Sequence, residues 1–184
     1  MIDHYHKLIF VHITRTGGTS VEVACVGDAW DTIDAPTKHI RADQAQARYA
    51  AYWESYVKFA VVRNPFGRLA SMFATGWWHK NMRGGLGMSM EYWLEILRPH
   101  ETERYGTLLQ SEVLDVELDH VLRFERLAEE FDAMCRTRGL DVPKLPHTQR
   151  SGRRPDHRDY YSARARRMVE DQWAADFERW GYSW

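Results

Sequence analysis

Apolar positions along the chain change period several times, and each change marks an element. Lys7 to Ile13 (KLIFVHI) is a short continuous run of strand-forming residues, the pattern of a buried strand. It stops at Thr14-Arg15-Thr16-Gly17-Gly18, a glycine turn. Thr19 and Ser20 then offer capping hydroxyls and apolar character resumes, so the pattern predicts a helix from about Thr19. A looser stretch from Gly27 to Lys38 leads into Ala42 to Tyr56, which reads as helical, and Val57 to Arg63 (VKFAVVR) reads as a second buried strand. Asn64 and Pro65 mark the next helix start, because asparagine caps well and proline suits the first helical position. That helix places Leu69, Met72, Phe73, Gly76 and Trp77 on a packing face. Asn64, Arg68, Ser71 and Thr75 fall on a face able to meet a ligand.

Asn81 to Gly87 is a glycine-rich loop, and Met88 to Leu97 an amphipathic helix that stops before Pro99. His120 to Phe124 is a third strand. A helix from Glu125 to about Arg138 follows, with Leu127, Phe131, Met134 and Cys135 inward and Gly139 as its stop. Pro143 to Pro155 is a loop rich in Pro, Arg and Gly, and the last helix, about Asp159 to Trp180, turns Val169, Trp173, Phe177 and Trp180 to the core. Strands alternating with helices predict an α/β fold in three layers, a central parallel sheet flanked by helices on both faces.

Composition bounds the reading. A chain of 184 residues, 44% hydrophobic and 13% aromatic, fits one globular domain spanning residues 1 to 184. With 25 Lys and Arg against 26 Asp and Glu there is no bulk field to recruit nucleic acid or an anionic membrane, so any anion site is local. Cys25 and Cys135 show no metal-ligand or redox spacing and read as buried free thiols. Residues 1 to 20 resemble neither a signal peptide nor a spanning helix, which makes a cytoplasmic protein the expectation.

Two segments carry chemistry. Ile13 to Ser20 resembles a phosphate-binding loop but departs from G-x-x-x-x-G-K-[ST]: isoleucine stands for the first glycine and Thr19 for the lysine. It keeps glycine backbone, hydroxyls and a helix N-terminus, all of which suit phosphate oxygens, and it adds a cation, Arg15. In Val62 to Ser71, Arg63 leaves the carboxyl end of a strand, the edge where open sheets bind ligands, and Ser71 shares a helix face with Arg68. Taken singly, the first is also consistent with an empty turn and the second with surface ion pairs.

Together and in this order, KLIFVHITRTGGTS and VVRNPFGRLASMF resemble the 5'-phosphosulfate-binding loop and the 3'-phosphate-binding motif of the sulfotransferase superfamily. The nearest branch is that of the carbohydrate sulfotransferases that includes heparan sulfate 2-O-sulfotransferase. HVLRFERL and the segment from Leu145 to Tyr182 continue the likeness. The resemblance implies a P-loop-like fold and 3'-phosphoadenosine-5'-phosphosulfate (PAPS) as sulfuryl donor. It places Arg15, Thr16, Gly17, Gly18, Thr19 and Ser20 around the 5'-phosphosulfate and Arg63 and Ser71 on the 3'-phosphate. A loop containing Arg150, Ser151, Arg153 and Arg154 would close over the donor. Where the family usually has lysine, this chain has Arg15, which keeps the charge but cannot give up a proton, so its role is electrostatic.

Sulfuryl transfer also needs a base. Of nine histidines, His39 lies between the two motifs, just before a helix, where the carbohydrate branch places its catalytic histidine; His12, inside a strand, reads as a satisfied core residue. His39 is also expected to touch the acceptor. So are Trp78 and His79, in a segment of indole faces, cations and glycines suited to a sugar. No metal is implied. The competing readings are a P-loop kinase or nucleoside triphosphatase, against which the missing lysine argues, and a nucleotide-binding protein without catalysis.

Overall fold

The computed structural model describes residues 1–76, 88–97, 109–146 and 156–184. The fold is α/β, with a four-stranded sheet flanked by helices, and the chain divides into two compact units. Met1–Val62 with Glu112–Gln149 form one, and Arg63–Ser111 with Arg150–Trp184 the other.

The first unit holds the whole sheet, in the order β1 (Ile2–Asp3), β2 (Leu8–Val11), β3 (Val57–Val62), β4 (His120–Arg123). β2, β3 and β4 are parallel, with Val11 opposite Ala60 and Val62 opposite Arg123, so their carboxyl ends share one edge. β1 pairs antiparallel with β2 and makes the sheet mixed, an addition to the parallel sheet expected from the pattern. Only two residues long, β1 has no periodicity to read. It is set by a turn in which the Asp3 carboxylate accepts from the backbone N–H groups of Tyr5 (2.9 Å) and His6 (3.1 Å).

Alternate sheet residues Leu8, Phe10, Phe59, Val61 and Leu122 pack with Val21 and Cys25 of α1 (Gly18–Val26) and with Trp30 of α2 (Trp30–Asp34). Phe131 and Cys135 of α8 (Leu127–Thr137) close the same core. Phe10 and Phe59 stack with centroids 4.9 Å apart. Both cysteines are buried free thiols, and burial pushes Cys135 up to about 11 and Cys25 higher still, which leaves them inert. The helix expected from Ala42 to Tyr56 is two, α3 (Ala42–Arg48) and α4 (Ala50–Trp53), broken at the buried Tyr49 with φ −107° and ψ 24°.

In the second unit, α5 (Pro65–Thr75) begins as its sequence predicts. The Asn64 side chain accepts from the Phe66 N–H at 3.0 Å, Pro65 occupies the first turn, and Gly76 ends the helix at φ 60°. α5 packs with α6 (Met90–Ile96) and α9 (Ala163–Gln172) around Phe66, Leu69, Phe73, Trp93, Val169 and Trp173. The face of α5 expected to stay open is instead buried: Arg68 is 2% exposed and Ser71 1%. The last predicted helix also divides, into α9 and α10 (Ala174–Trp180), at the fully buried Trp173 with φ −110° and ψ 21°. α7 (Gln110–Val113) precedes β4 in the sequence. Among the described residues no helix is long and apolar enough to cross a membrane.

Candidate functional site

The loop leaving β2 is shaped from below. Thr16 is buried and donates its hydroxyl to the Ile13 carbonyl at 2.7 Å, so Thr16 offers its surroundings backbone rather than side chain. The chain takes left-handed conformations at Arg15 (φ 64°) and Gly17 (φ 83°). For arginine that conformation costs on the order of 1 kcal/mol, strain of the kind that collects at ligand sites. α1 then starts at Gly18, and because Gly17 has no side chain, no cap covers the first turn and no carboxylate neutralises it. The amides of a nine-residue helix start beside the half-buried Arg15, an arrangement suited to an anion.

Both glycines answer to packing beneath the loop. A Cβ on Gly18 would lie 2.2 Å from His12 Cδ2 and 2.3 Å from Nε2, which no side chain can occupy. On Gly17 it would lie 3.1 Å from Leu127 and Phe124 side-chain carbons, at a φ that already disfavours any other residue. The glycines that the sequence offers to a phosphate are thus required first by the floor.

That floor is polar, and its central pair, His12 and Glu22, is buried. The Glu22 carboxylate accepts from His12 Nδ1 at 2.5 Å and from the Trp30 N–H at 3.0 Å, and pairs with Lys38 Nζ at 3.1 Å; Lys38 also pairs with Asp31. Burial pulls the Glu22 carboxyl up, but the His12 hydrogen bond and the neighbouring cation outweigh it and hold the group below its usual range. Burial lowers His12, which therefore donates as a neutral imidazole to an ionised carboxylate. His12 is the satisfied core histidine its sequence position implied.

His39 stands on this floor. Its Nδ1 is 2.9 Å from the His12 carbonyl oxygen, which can only accept, so Nδ1 carries the proton and Nε2 the lone pair. Its ring meets the His12 ring edge-on, centroids 4.4 Å apart. Burial above all, with His12 and Lys38 adding to it, lowers the His39 pKa to about 3, so the imidazole is neutral throughout the physiological range.

In the second unit Arg63 follows directly on β3 and is 8% exposed. Its guanidinium lies along Gly67, where a Cβ would stand 3.4 Å from Nε and 3.5 Å from Nη2. Burial lowers Arg68 to about 10 against the opposing pull of Asp176, so it remains a cation. Tyr161 donates its hydroxyl to the Phe66 carbonyl at 2.8 Å, and burial holds its proton far above the ordinary phenol range.

A family model described as the sulfotransferase family matches residues 1–183. The chain belongs to the sulfotransferase family. No curated protein and no solved structure matches it. A sulfotransferase moves a sulfuryl group from a sulfate donor to a hydroxyl acceptor, and sulfotransferases generally take PAPS as that donor. Within this sulfotransferase, Arg15, Gly17, Gly18, Thr19, Ser20 and His39 all belong to the first unit, with His39 joined to the loop through His12. Arg63 and Ser71 belong to the second. Trp78 and His79, and likewise Arg150, Ser151, Arg153 and Arg154, lie outside the described residues. Sequence reasoning missed Glu22, Lys38 and Gln110 as the residues that hold these groups. For Glu22 a signal existed: an acidic residue on the buried side of α1, one turn past the loop.

Proposed function

We propose that this sulfotransferase transfers the sulfuryl group of PAPS to a carbohydrate hydroxyl, with His39 as the base. The observation that carries the reading is the neutral His39, fixed through Nδ1 on the same residue, His12 just past the end of β2, that supports the phosphate-type loop. PAPS, when bound, would supply an activated sulfuryl group on a good leaving phosphate.

Each unit, taken by itself, offers groups suited to one end of such a donor. The first turn of α1 and the Arg15 guanidinium offer N–H donors and positive charge to a 5'-phosphosulfate. Arg63, held against Gly67, and Ser71 would take the 3'-phosphate, following the resemblance of their segment to that motif. His39 Nε2 would accept the acceptor's proton. With a pKa near 3 it is always available as a base but weak, and both burial and Lys38 make it so. Negative charge beside the ring offsets the field of Lys38 and strengthens the base. A carbohydrate acceptor rests on the likeness to the heparan sulfate 2-O-sulfotransferase branch and on the composition of the segment holding Trp78 and His79.

The test is direct. Thermal stabilisation by 3'-phosphoadenosine-5'-phosphate, with none from ATP and magnesium, is the expected outcome, and the reverse result would make the protein a kinase or nucleoside triphosphatase. With PAPS and a panel of glycans, phenols and tyrosine peptides, mass spectrometry should find sulfated glycan. His39→Ala should lower that turnover roughly 100-fold. Sulfation of phenols alone would overturn the acceptor, and a fully active His39→Ala enzyme would overturn the base.

A further inference from the structure

We propose that Gln110 is a positioning residue for Arg63 and sets the preference of this site for a 3'-phosphorylated nucleotide. The inference rests on reading Arg63 as the 3'-phosphate ligand and goes beyond it, since Gln110 lies in neither motif.

Arg63 sits where the chain leaves the sheet. Val62 is the last residue of β3 and Asn64 the cap of α5, so the Arg63 backbone N–H and C=O belong neither to the ladder nor to the helix. A buried peptide group of that kind needs a partner. Gln110 supplies both halves of one. The Arg63 N–H donates to Gln110 Oε1 at 2.9 Å, and Gln110 Nε2 donates to the Arg63 carbonyl at 2.8 Å. A side-chain amide thus pairs with a main-chain peptide as a neighbouring strand would.

Gln110 is itself locked. It is 0% exposed, and the Asp176 carboxylate, equally buried, accepts from its backbone N–H at 3.0 Å and from its Nε2 at 3.3 Å. The other Asp176 oxygen accepts from the Ser111 N–H at 2.8 Å, and the buried Arg68 feels the attraction of the same carboxylate. Asn64, next to Arg63, is tied by its Nδ2 to the Ser183 carbonyl at 2.8 Å. The Arg63 backbone is therefore fixed in orientation, while its side chain rests on the bare Cα of Gly67.

An arginine has many rotamers to lose, and a charge-assisted fork needs its guanidinium aimed. Fixing the peptide plane at its root and the stem on Gly67 aims that group before any ligand arrives. The consequence is selective. Loosening Gln110 should weaken recognition of the one group Arg63 meets and leave the rest of the nucleotide's contacts alone.

Calorimetric titration with 3'-phosphoadenosine-5'-phosphate and with adenosine 5'-phosphate reads this as a ratio of affinities. In Arg63→Ala the preference for the 3'-phosphorylated nucleotide should fall about 30-fold or more, the loss of a charge-assisted contact. In Gln110→Met, which keeps the shape without the amide, it should fall about tenfold, with adenosine 5'-phosphate binding unchanged within about twofold. Gln110→Asn, one methylene short so that its amide is withdrawn from both Arg63 groups while staying polar, should also lower the preference, and it serves if the methionine variant does not fold. Should Arg63→Ala keep the preference, the 3'-phosphate reading fails. Should Arg63→Ala lose it while a folded Gln110 variant keeps it, or loses both ligands equally, the positioning role fails and the phosphate reading stands.

Discussion

Gly18→Ala should be costly out of proportion to the single methyl group it adds. Its Cβ would stand 2.2 Å from His12 Cδ2, where a carbon contact wants about 3.5 Å or more, an intrusion of about 1.3 Å. His12 cannot swing away. Its Nδ1 is held by Glu22 at 2.5 Å, and its ring stacks on Phe10 at 5.4 Å and meets His39 at 4.4 Å. Overpacking of a filled interior costs about 1–3 kcal/mol, and forcing the imidazole off a buried carboxylate adds the cost of a charge left short of a partner. A loss of about 3 kcal/mol follows, which in a chain of this length lowers the melting temperature by about 6–12 °C. The decisive assay is a double-mutant cycle with His12→Ala in urea denaturation. Once the imidazole is gone, Gly18→Ala meets open space and gains helix propensity, so its cost should vanish, a coupling of about 2 kcal/mol or more. Equal costs in both backgrounds, within about 0.5 kcal/mol, would refute the reasoning.

Arg15→Gly removes a left-handed arginine and should leave stability unchanged or raised by about 1 kcal/mol, while turnover falls roughly 100-fold; Arg15→Lys, the residue usual in the family, should retain activity. A destabilised Arg15→Gly protein, or one of normal activity, would count against the assignment of strain and charge to this residue. Acid sensitivity follows from His39, whose pKa falls from 6.5 to about 3 on folding. Between those values the unfolded chain binds more protons, so this contribution is complete above pH 6.5 and is lost as pH falls toward 3. His12, Glu22, Lys38 and Asp31 are among the groups that interact with His39. His39→Gln should flatten that limb of stability against pH while their contribution remains, and an unchanged limb would show that His39 titrates normally.

Much of the sheet and of the loop was legible because local chemistry sets them. KLIFVHI, VKFAVVR and HVLRF carry their strands in composition alone, with the observed strands ending at Val11, Val62 and Arg123, and Asn64 and Pro65 announce the start of α5. Its end was not announced: the apolar period runs on through Gly76, which instead turns left-handed and stops the helix. What escaped the pattern was decided at a distance. The breaks between α3 and α4 and between α9 and α10 have no glycine or proline to mark them. Each falls at a buried aromatic residue, Tyr49 or Trp173, at nearly the same φ and ψ, where the ring is committed to the interior rather than to the helix axis. α5 reads as amphipathic because two of its buried residues are Arg68 and Ser71, and periodicity treats any polar residue as a solvent face. Only the position of Asp176, over 100 residues downstream, tells that Arg68 is buried as a cation with its charge answered.

The candidate site divides along the same line. Of the residues that would touch a ligand, Arg15, Arg63 and Ser71 are named by motif, because the chemistry of an anion constrains residue type at fixed spacing, and His39 by its place between the two motifs. Residues that hold them are named by geometry. Glu22 reaches His12 across ten positions and Gln110 reaches Arg63 across 47, and no spacing rule spans either distance. Both supporting groups share one physical logic. Each is a fully buried side chain: the Gln110 amide, backed by a carboxylate, takes up the Arg63 peptide groups at the end of β3, and the Glu22 carboxylate holds the His12 ring on which the loop rests. A turn at the carboxyl end of a parallel strand must leave the ladder in order to face a ligand, so it sheds its own hydrogen bonds. At the end of β3 the buried Gln110 amide replaces them, and beneath the loop after β2 the buried Glu22 instead fixes the ring that Gly18 packs against.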